Sequence, residues 1–164
     1  MLKKIYLRHE GIEFPAGYFG EFKSAIRDEE SIYLTAEVEG RVVGGGGMSN
    51  FFGGQSTLMF GIVDPDYCRQ GIGTSLLLTR IQFLANCSEK CRIMLQATER
   101  SSAFFEKLGF KWVEKEIDEN GHTFLFGVND VKSPDRPIFL KHLNSGNVEI
   151  SSEFLESPQI VFPD

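Results

Sequence analysis

With 164 residues, a hydrophobic share of 41% and a charged share of 24%, the chain has the composition of one folded domain. Such a length buries roughly 70% of the surface exposed by the unfolded chain, and neither the polar excess of disorder nor a long apolar run is present. The net charge of -6 argues against nonspecific nucleic-acid binding, which needs clustered Lys and Arg to neutralise phosphates.

Arg8 and His9 interrupt the positively charged N-terminus before an apolar segment of secretory length can build. A cytoplasmic protein without a membrane or nucleic-acid partner is expected. Residues 3–9 alternate as a first strand, and after Pro15 the spacing of Phe19, Phe22 and Ile26 predicts a helix ending near Asp28. From Tyr33 to Glu39 the chain alternates again, and Glu39-Gly40 turns it directly into Arg41-Val42-Val43-Gly44, a hairpin with one buried face. The run Gly44 to Gly47 lies between strand-like residues, so it reads as a strand with close backbone packing or a bulge rather than as a loop.

Phe51-Phe52-Gly53-Gly54 makes a turn, and Thr57 to Val63 is a nearly continuous apolar strand, hence a central one. A helix follows from about Ile72 to Ala85, then a strand from Arg92 to Ala97 and a helix from Glu99 to Leu108 that Gly109 stops. Strands Phe110 to Ile117 and His122 to Val128 flank the turn Asp118-Glu119-Asn120-Gly121. The result is an α/β (α+β) layout around one sheet over residues 1–130. Ser133 to Pro137 reads as a linker, and residues 131–164 as an extension packing on the domain or on a second subunit, which makes a homodimer an expectation. Three cysteines make no disulfide framework, and Cys87 and Cys91 lack the His or Cys partners of a zinc site, so reduced thiols and no metal are expected.

The segment Val63 to Thr74 carries the chemistry. A central strand feeds a glycine-containing turn that opens a helix, an arrangement whose backbone N–H groups and dipole attract a phosphate. Leu76 stands where a dinucleotide fingerprint needs a third glycine, and Thr74 where a nucleotide triphosphatase loop needs Lys, so both of those readings fail.

Pro65, Tyr67, Gln70-Gly71-Ile72-Gly73-Thr74 and Leu76-Leu77 resemble the coenzyme A loop of the GCN5-related N-acetyltransferase (GNAT) superfamily. Ala103 to Phe110 resembles its later helix-to-strand motif, and the hairpin around Gly40 to Gly44 its second and third strands. The resemblance covers residues 30 to 128. It implies a mixed, mostly antiparallel sheet with helices on both faces, splayed between the strands that end at Val63 and Ala97. It further implies pantetheine contacts from Gly61, Ile62 and Val63, and pyrophosphate contacts from Arg69, Gln70, Gly71, Ile72, Gly73 and Thr74. Thr98 and Phe105 are also carried over as acetyl-coenzyme A contacts. The implied activity is acetyl transfer from acetyl-coenzyme A to a primary amine, small molecule or peptide, by direct attack in a ternary complex. The alternative is an acyl-coenzyme A-binding module with weak or no turnover.

Three positions depart from the superfamily's pattern. Cys68 stands at the loop start where Arg or Gln is usual, Thr98 where Asn is frequent, and Phe105 where a Tyr hydroxyl can protonate the leaving thiolate. Cys68 sits near a helix N-terminus, a place that can lower a thiol pKa, although an inert turn residue is the plainer reading. No general base is assigned: Glu37, Glu39 and Glu99 qualify by type only, and His9, His122 and His142 are scattered. The segment before the hairpin is short, so the C-terminal extension is expected to help wall the acceptor site.

Overall fold

The structure, a computed structural model, describes residues 1–49, 54–87 and 90–132. Helices α1 (Leu2–Leu7) and α2 (Phe19–Ala25) precede strands β1 (Ser31–Val38), β2 (Arg41–Ser49) and β3 (Gln55–Val63). Helix α3 (Ile72–Cys87), strand β4 (Lys90–Thr98), helix α4 (Glu99–Glu106) and strands β5 (Lys111–Ile117) and β6 (Thr123–Lys132) complete the chain. They form one six-stranded sheet in the order β1-β2-β3-β4-β6-β5, antiparallel except for the β3–β4 pair. Among the described residues no helix is long and apolar enough to cross a membrane.

The first element corrects the sequence reading: residues 3–9 were expected as a strand, and residues 2–7 are helical. Over six residues a period of two and a period of 3.6 are hard to tell apart. What decides is burial: Ile5 and Tyr6 are covered and Leu2 half-covered, while Lys3, Lys4 and Leu7 face water, the one-sided stripe of a helix. The expected turn at Phe51-Phe52-Gly53, the linker at 133–137, the extension beyond it and His142 lie outside the described residues.

The sheet is covered on both faces. Ile5, Tyr6, Phe22, Tyr33 and Ile62 form the core on the α1–α2 side. Met48, Leu58, Leu77, Leu84 and Ile93 belong to the core beneath α3. The Glu39-Gly40 turn has positive φ at both residues, 51° and 73°, the backbone a two-residue hairpin demands.

The glycine run is part of β2. A side chain at Gly44 or Gly46 would strike Ile62 O or Arg80 on the α3 side, and one at Gly45 or Gly47 would crowd Tyr33 on the other. Four successive positions are therefore stripped of side chains so that an Arg and a Tyr can lie against the middle of the sheet. Arg80 is wholly buried and donates to Gly47 O at 3.1 Å and Leu76 O at 3.1 Å. Burial lowers its guanidinium to about 10, the Tyr33 side chain opposing that shift, so it stays charged at neutral pH.

A bulge in β3 lies opposite the same glycines. Gly45 pairs with Ile62 but Gly47 with Met59, so β3 contains one extra residue, and Phe60 takes a positive φ of 45°. The bulge shifts the alternation by one: Leu58 packs beneath α3, whereas Phe60 and Ile62 both pack toward α1 and α2. A left-handed non-glycine residue costs roughly 1–2 kcal/mol, and Phe60 is held there by Phe22 and Phe14, at 5.5 and 5.8 Å between ring centres. Tyr33 Oη also donates to Phe60 O at 2.8 Å, and burial raises its pKa so that the donor proton is retained. Tyr33→Phe is expected to destabilise the protein by about 1 kcal/mol, since it leaves a covered carbonyl unpaired; chemical denaturation measures this.

Candidate active site

Strands β3 and β4 pair only from Gln55–Arg92 to Leu58–Leu95. Beyond that both continue, β3 held by β2 as far as Val63 and β4 held by β6 as far as Thr98, so the sheet opens between them as a V. Asp64 N donates to Val43 O at 2.7 Å. By the alternation of an antiparallel ladder, Ile62 also addresses β2, while Gly61 and Val63 turn their backbone groups into the V. Gly61 is exposed in spite of its place in a central strand. The Val63 carbonyl is occupied: His9 Nε2 lies 2.8 Å from it and, since a carbonyl only accepts, carries the proton.

The turn that follows is braced from several sides. Asp64 Oδ1 accepts from Asp66 N at 3.2 Å at the start of a short 3-10 turn, Pro65–Tyr67. Arg8 bonds Asp64 and also grips both oxygens of Asp66 at 2.9 Å, which holds the Asp66 carboxyl below its ordinary value. Arg69 and Gly71 have φ of 65° and 85°, and Arg69, Gln70 and Gly71 are exposed. Helix α3 starts at Ile72. Ser75 N is bonded to Gly71 O at 2.9 Å, so the N–H groups of Ile72, Gly73 and Thr74 precede the first intrahelical bond and point out of the helix end. A Cβ on Gly73 would lie 3.6 Å from Val63 Cγ2 and 4.0 Å from Phe104 Cζ. The turn thus stands at the mouth of the V, with α4 on its far side.

The departures noted in the sequence take definite places. The Cys68 thiol lies 3.8 Å from Val63 O. Burial pushes its pKa up, with Asp64 and Glu13 adding to the shift, in keeping with the plainer reading of an inert turn residue rather than an activated thiol. Phe105 packs among Phe104, Phe110 and Trp112, at 5.0, 5.8 and 6.5 Å between ring centres, whereas Phe104 is the ring beside Gly73. Thr98 Oγ1 lies 3.3 Å from both Glu13 Oε2 and Ser101 Oγ.

Thr98 also lines an open cleft of ≈ 140 Å³ formed by residues 11–15 and residues 122–124. Phe14, in the wall of the cleft, also packs on Phe60 at the bulge of β3. Glu13 and His122 bring ionisable groups to it. The Glu13 carboxylate is fixed by Arg100 at 2.8 Å; His122 Nδ1 lies 2.9 Å from Asp118 Oδ2. Glu37 and Glu39 belong to the β1–β2 hairpin and are remote from this cleft's lining, and Glu99 is spent on Lys115 at 2.7 Å. Sequence reasoning missed Glu13 altogether: nothing local marks it, and only the fold brings it to Thr98, 85 positions along the chain.

Residues 7–125 match the family model described as an acetyltransferase (GNAT) domain. No curated protein sequence matches the chain significantly. Among solved structures, Tetrahymena GCN5 aligns with a TM-score of 0.64 at 16% identity, over 81% of this chain and 86% of that one. An aminoglycoside 6'-acetyltransferase type Ii aligns with a TM-score of 0.62 at 21% identity, over 81% and 87%. The ribosomal-protein-S18-alanine N-acetyltransferase of Escherichia coli gives 0.59 at 20% identity, over 68% and 76%.

Proposed function

Because the chain belongs to the GNAT acetyltransferase family, we propose that it transfers the acetyl group of acetyl-coenzyme A to a primary amine by direct attack within a ternary complex. The observation that carries this reading is the V itself. Its inner edge offers the backbone of Gly61 and the N–H of Val63, and its mouth offers the N–H groups of Ile72, Gly73 and Thr74. A pantetheine arm needs a strand edge with free polar groups, and a pyrophosphate needs convergent N–H donors with no side chain in the way; the exposed Gly61 and left-handed Gly71 meet both requirements. Arg69, Gln70 and Thr74 complete the loop around the pyrophosphate, Ile62 holds the strand to β2, Thr98 borders the site from the end of β4 and Phe104 from α4, with Phe105 packed behind it. The same N–H groups of β3 are suited to steady the oxyanion that forms as the amine attacks the thioester, which lowers a barrier by several kcal/mol.

Phe105 cannot protonate the departing thiolate, but coenzyme A leaves as a stable anion and solvent supplies that proton. Phe105 is also the observation favouring the second reading, a module that binds acetyl-coenzyme A without turning it over. Coenzyme A release, followed as free thiol with a panel of primary amines, separates the two. Direct transfer is expected to give double-reciprocal plots that intersect, not the parallel lines of a covalent enzyme intermediate. Saturable acetyl-coenzyme A binding with no thiol released by any amine would favour the module. We further propose that the acceptor enters through the cleft at Glu13, Thr98 and His122, and that residues 131–164 contribute to its wall. A chain truncated after Lys132, the last residue of β6, is then expected to keep acetyl-coenzyme A binding and lose acceptor affinity; unchanged acceptor use would remove the extension from the site.

A further inference from the structure

We propose that His122 is the general base that deprotonates the acceptor amine, and that Asp118 is its positioning residue; this rests on the acetyl-transfer reading above. The geometry comes from the β5–β6 turn. Asp118 Oδ1 accepts from the backbone N–H of Asn120 at 2.9 Å and of His122 at 2.8 Å, and Oδ2 faces His122 Nδ1 at 2.9 Å. One carboxylate thereby closes the turn and fixes the imidazole. A carboxylate only accepts, so in the neutral ring the proton sits on Nδ1 and the lone pair on Nε2. No described residue hydrogen-bonds Nε2, and His122 lines the cleft shared with Thr98 and Glu13.

Asp118 is itself well covered, its side chain 15% exposed against 43% for His122, so the orienting group is held and the ring edge remains reachable. The groups facing the pair are Tyr18, whose phenol feels the Asp118 charge, together with Glu119 from the turn, Glu13 across the cleft and Arg100 bound to Glu13. Tyr18 also stacks on Phe124 at 6.3 Å, which ties the turn to the loop that precedes α2. His9, which gives its Nε2–H to Val63 O, does not line the cleft, and both Glu13 oxygens are engaged, one by Arg100 and one by Thr98. Of the ionisable side chains described at the cleft, His122 is the one with an uncommitted acceptor atom.

The step balances simply. An alkylammonium ion gives one proton to His122 Nε2, forming an imidazolium that Asp118 stabilises, and the freed amine nitrogen attacks the thioester carbon. The C–N bond forms, the C–S bond breaks as the tetrahedral intermediate collapses, and the second nitrogen-bound proton passes to the coenzyme A thiolate through solvent. Imidazolium then returns its proton to water. General-base assistance of this kind contributes typically 10²–10⁴-fold.

Two probe amines of nearly equal size test the assignment in the full-length protein. Ethylamine is protonated at pH 7, whereas methoxyamine is already neutral and needs no base before attack. His122→Gln is expected to slow acetylation of ethylamine by about 100-fold or more and that of methoxyamine by less than ~3-fold, with calorimetric affinity for acetyl-coenzyme A unchanged. Asp118→Asn is expected to act in the same selective sense and to shift the His122 ring away from the Nδ1–H tautomer in ¹⁵N NMR. Equal losses for both amines, or no loss with ethylamine, would overturn the role of His122. So would a wild-type protein that binds acetyl-coenzyme A and acetylates neither amine. Absence of acetyl-coenzyme A binding would instead strike the acetyl-transfer reading, and this assignment with it.

Discussion

Gly71→Glu is expected to abolish measurable binding of acetyl-coenzyme A while leaving the protein folded. Gly71 sits with φ of 85° between the exposed Arg69-Gln70 pair and the first buried residue of α3, Ile72. In that position its backbone faces the space where the proposed pyrophosphate lies, and a Glu side chain would place a carboxylate beside two phosphates. Loss of two charge-assisted hydrogen bonds at about 2 kcal/mol each amounts to roughly 4 kcal/mol, or about 1000-fold in affinity. Gly71→Asn is the control, because Asn tolerates the left-handed conformation and adds no charge; it is expected to retain most of the binding. Calorimetry on both variants, with far-UV circular dichroism to establish folding, gives the answer. Equal affinities for Gly71→Glu and wild type would place the pyrophosphate elsewhere.

Gly46→Val is expected to be the most destabilising of the single substitutions considered, by about 3 kcal/mol. Gly46 has ordinary strand geometry, and valine favours strands, so backbone preference predicts a gain. Packing decides otherwise. A Cβ there would lie 2.6 Å from Arg80 Cζ and 2.7 Å from Nη1, and the guanidinium, fully buried, cannot move without giving up Gly47 O and Leu76 O. A buried cation deprived of its acceptors is among the costlier defects a core can carry. Combining Gly46→Val with Arg80→Ala should recover part of the loss, with a coupling of about 1 kcal/mol or more in a double-mutant cycle by urea unfolding. A Gly46→Val protein within ~0.5 kcal/mol of wild type would show that Arg80 does not need the space.

These two glycines mark the boundary of what the sequence made legible. Gly71 lies in a motif of contiguous residues, Gln70 to Thr74, whose order and position after an apolar strand were the basis for expecting a phosphate-binding turn. Gly46 lies in a run whose strand character could be read from its flanks, Val42-Val43 and Met48. Its reason could not, because Arg80 arrives from a helix more than thirty positions away. The hairpin at Glu39-Gly40, the central strand to Val63 and the helix stopped before Gly109 were all readable from local pattern. Helix α1 was not, since six residues supply too few turns for a period to show.

The proposed acceptor side was the least legible. Glu13, Thr98 and His122 come from three distant segments and carry no shared spacing, and a histidine in a turn has no distinguishing mark until Asp118 is seen to hold it. Motif and structure also divide the aromatic pair on α4 differently. The pattern singles out Phe105 by its place before Glu106, yet Phe104 is the ring next to Gly73, and Phe105 packs inward on Phe110 and Trp112. A motif fixes which helix borders the V, while the side that each ring takes depends on the neighbouring strands.

The most direct measurement is an isothermal titration of the wild-type protein with acetyl-coenzyme A, run beside pantetheine, which lacks the pyrophosphate. A V lined by the backbone of β3 and closed at its mouth by the α3 N-terminus predicts one saturable site for acetyl-coenzyme A and much weaker binding of pantetheine. No saturable heat with acetyl-coenzyme A, or equal affinity for the two, would contradict it.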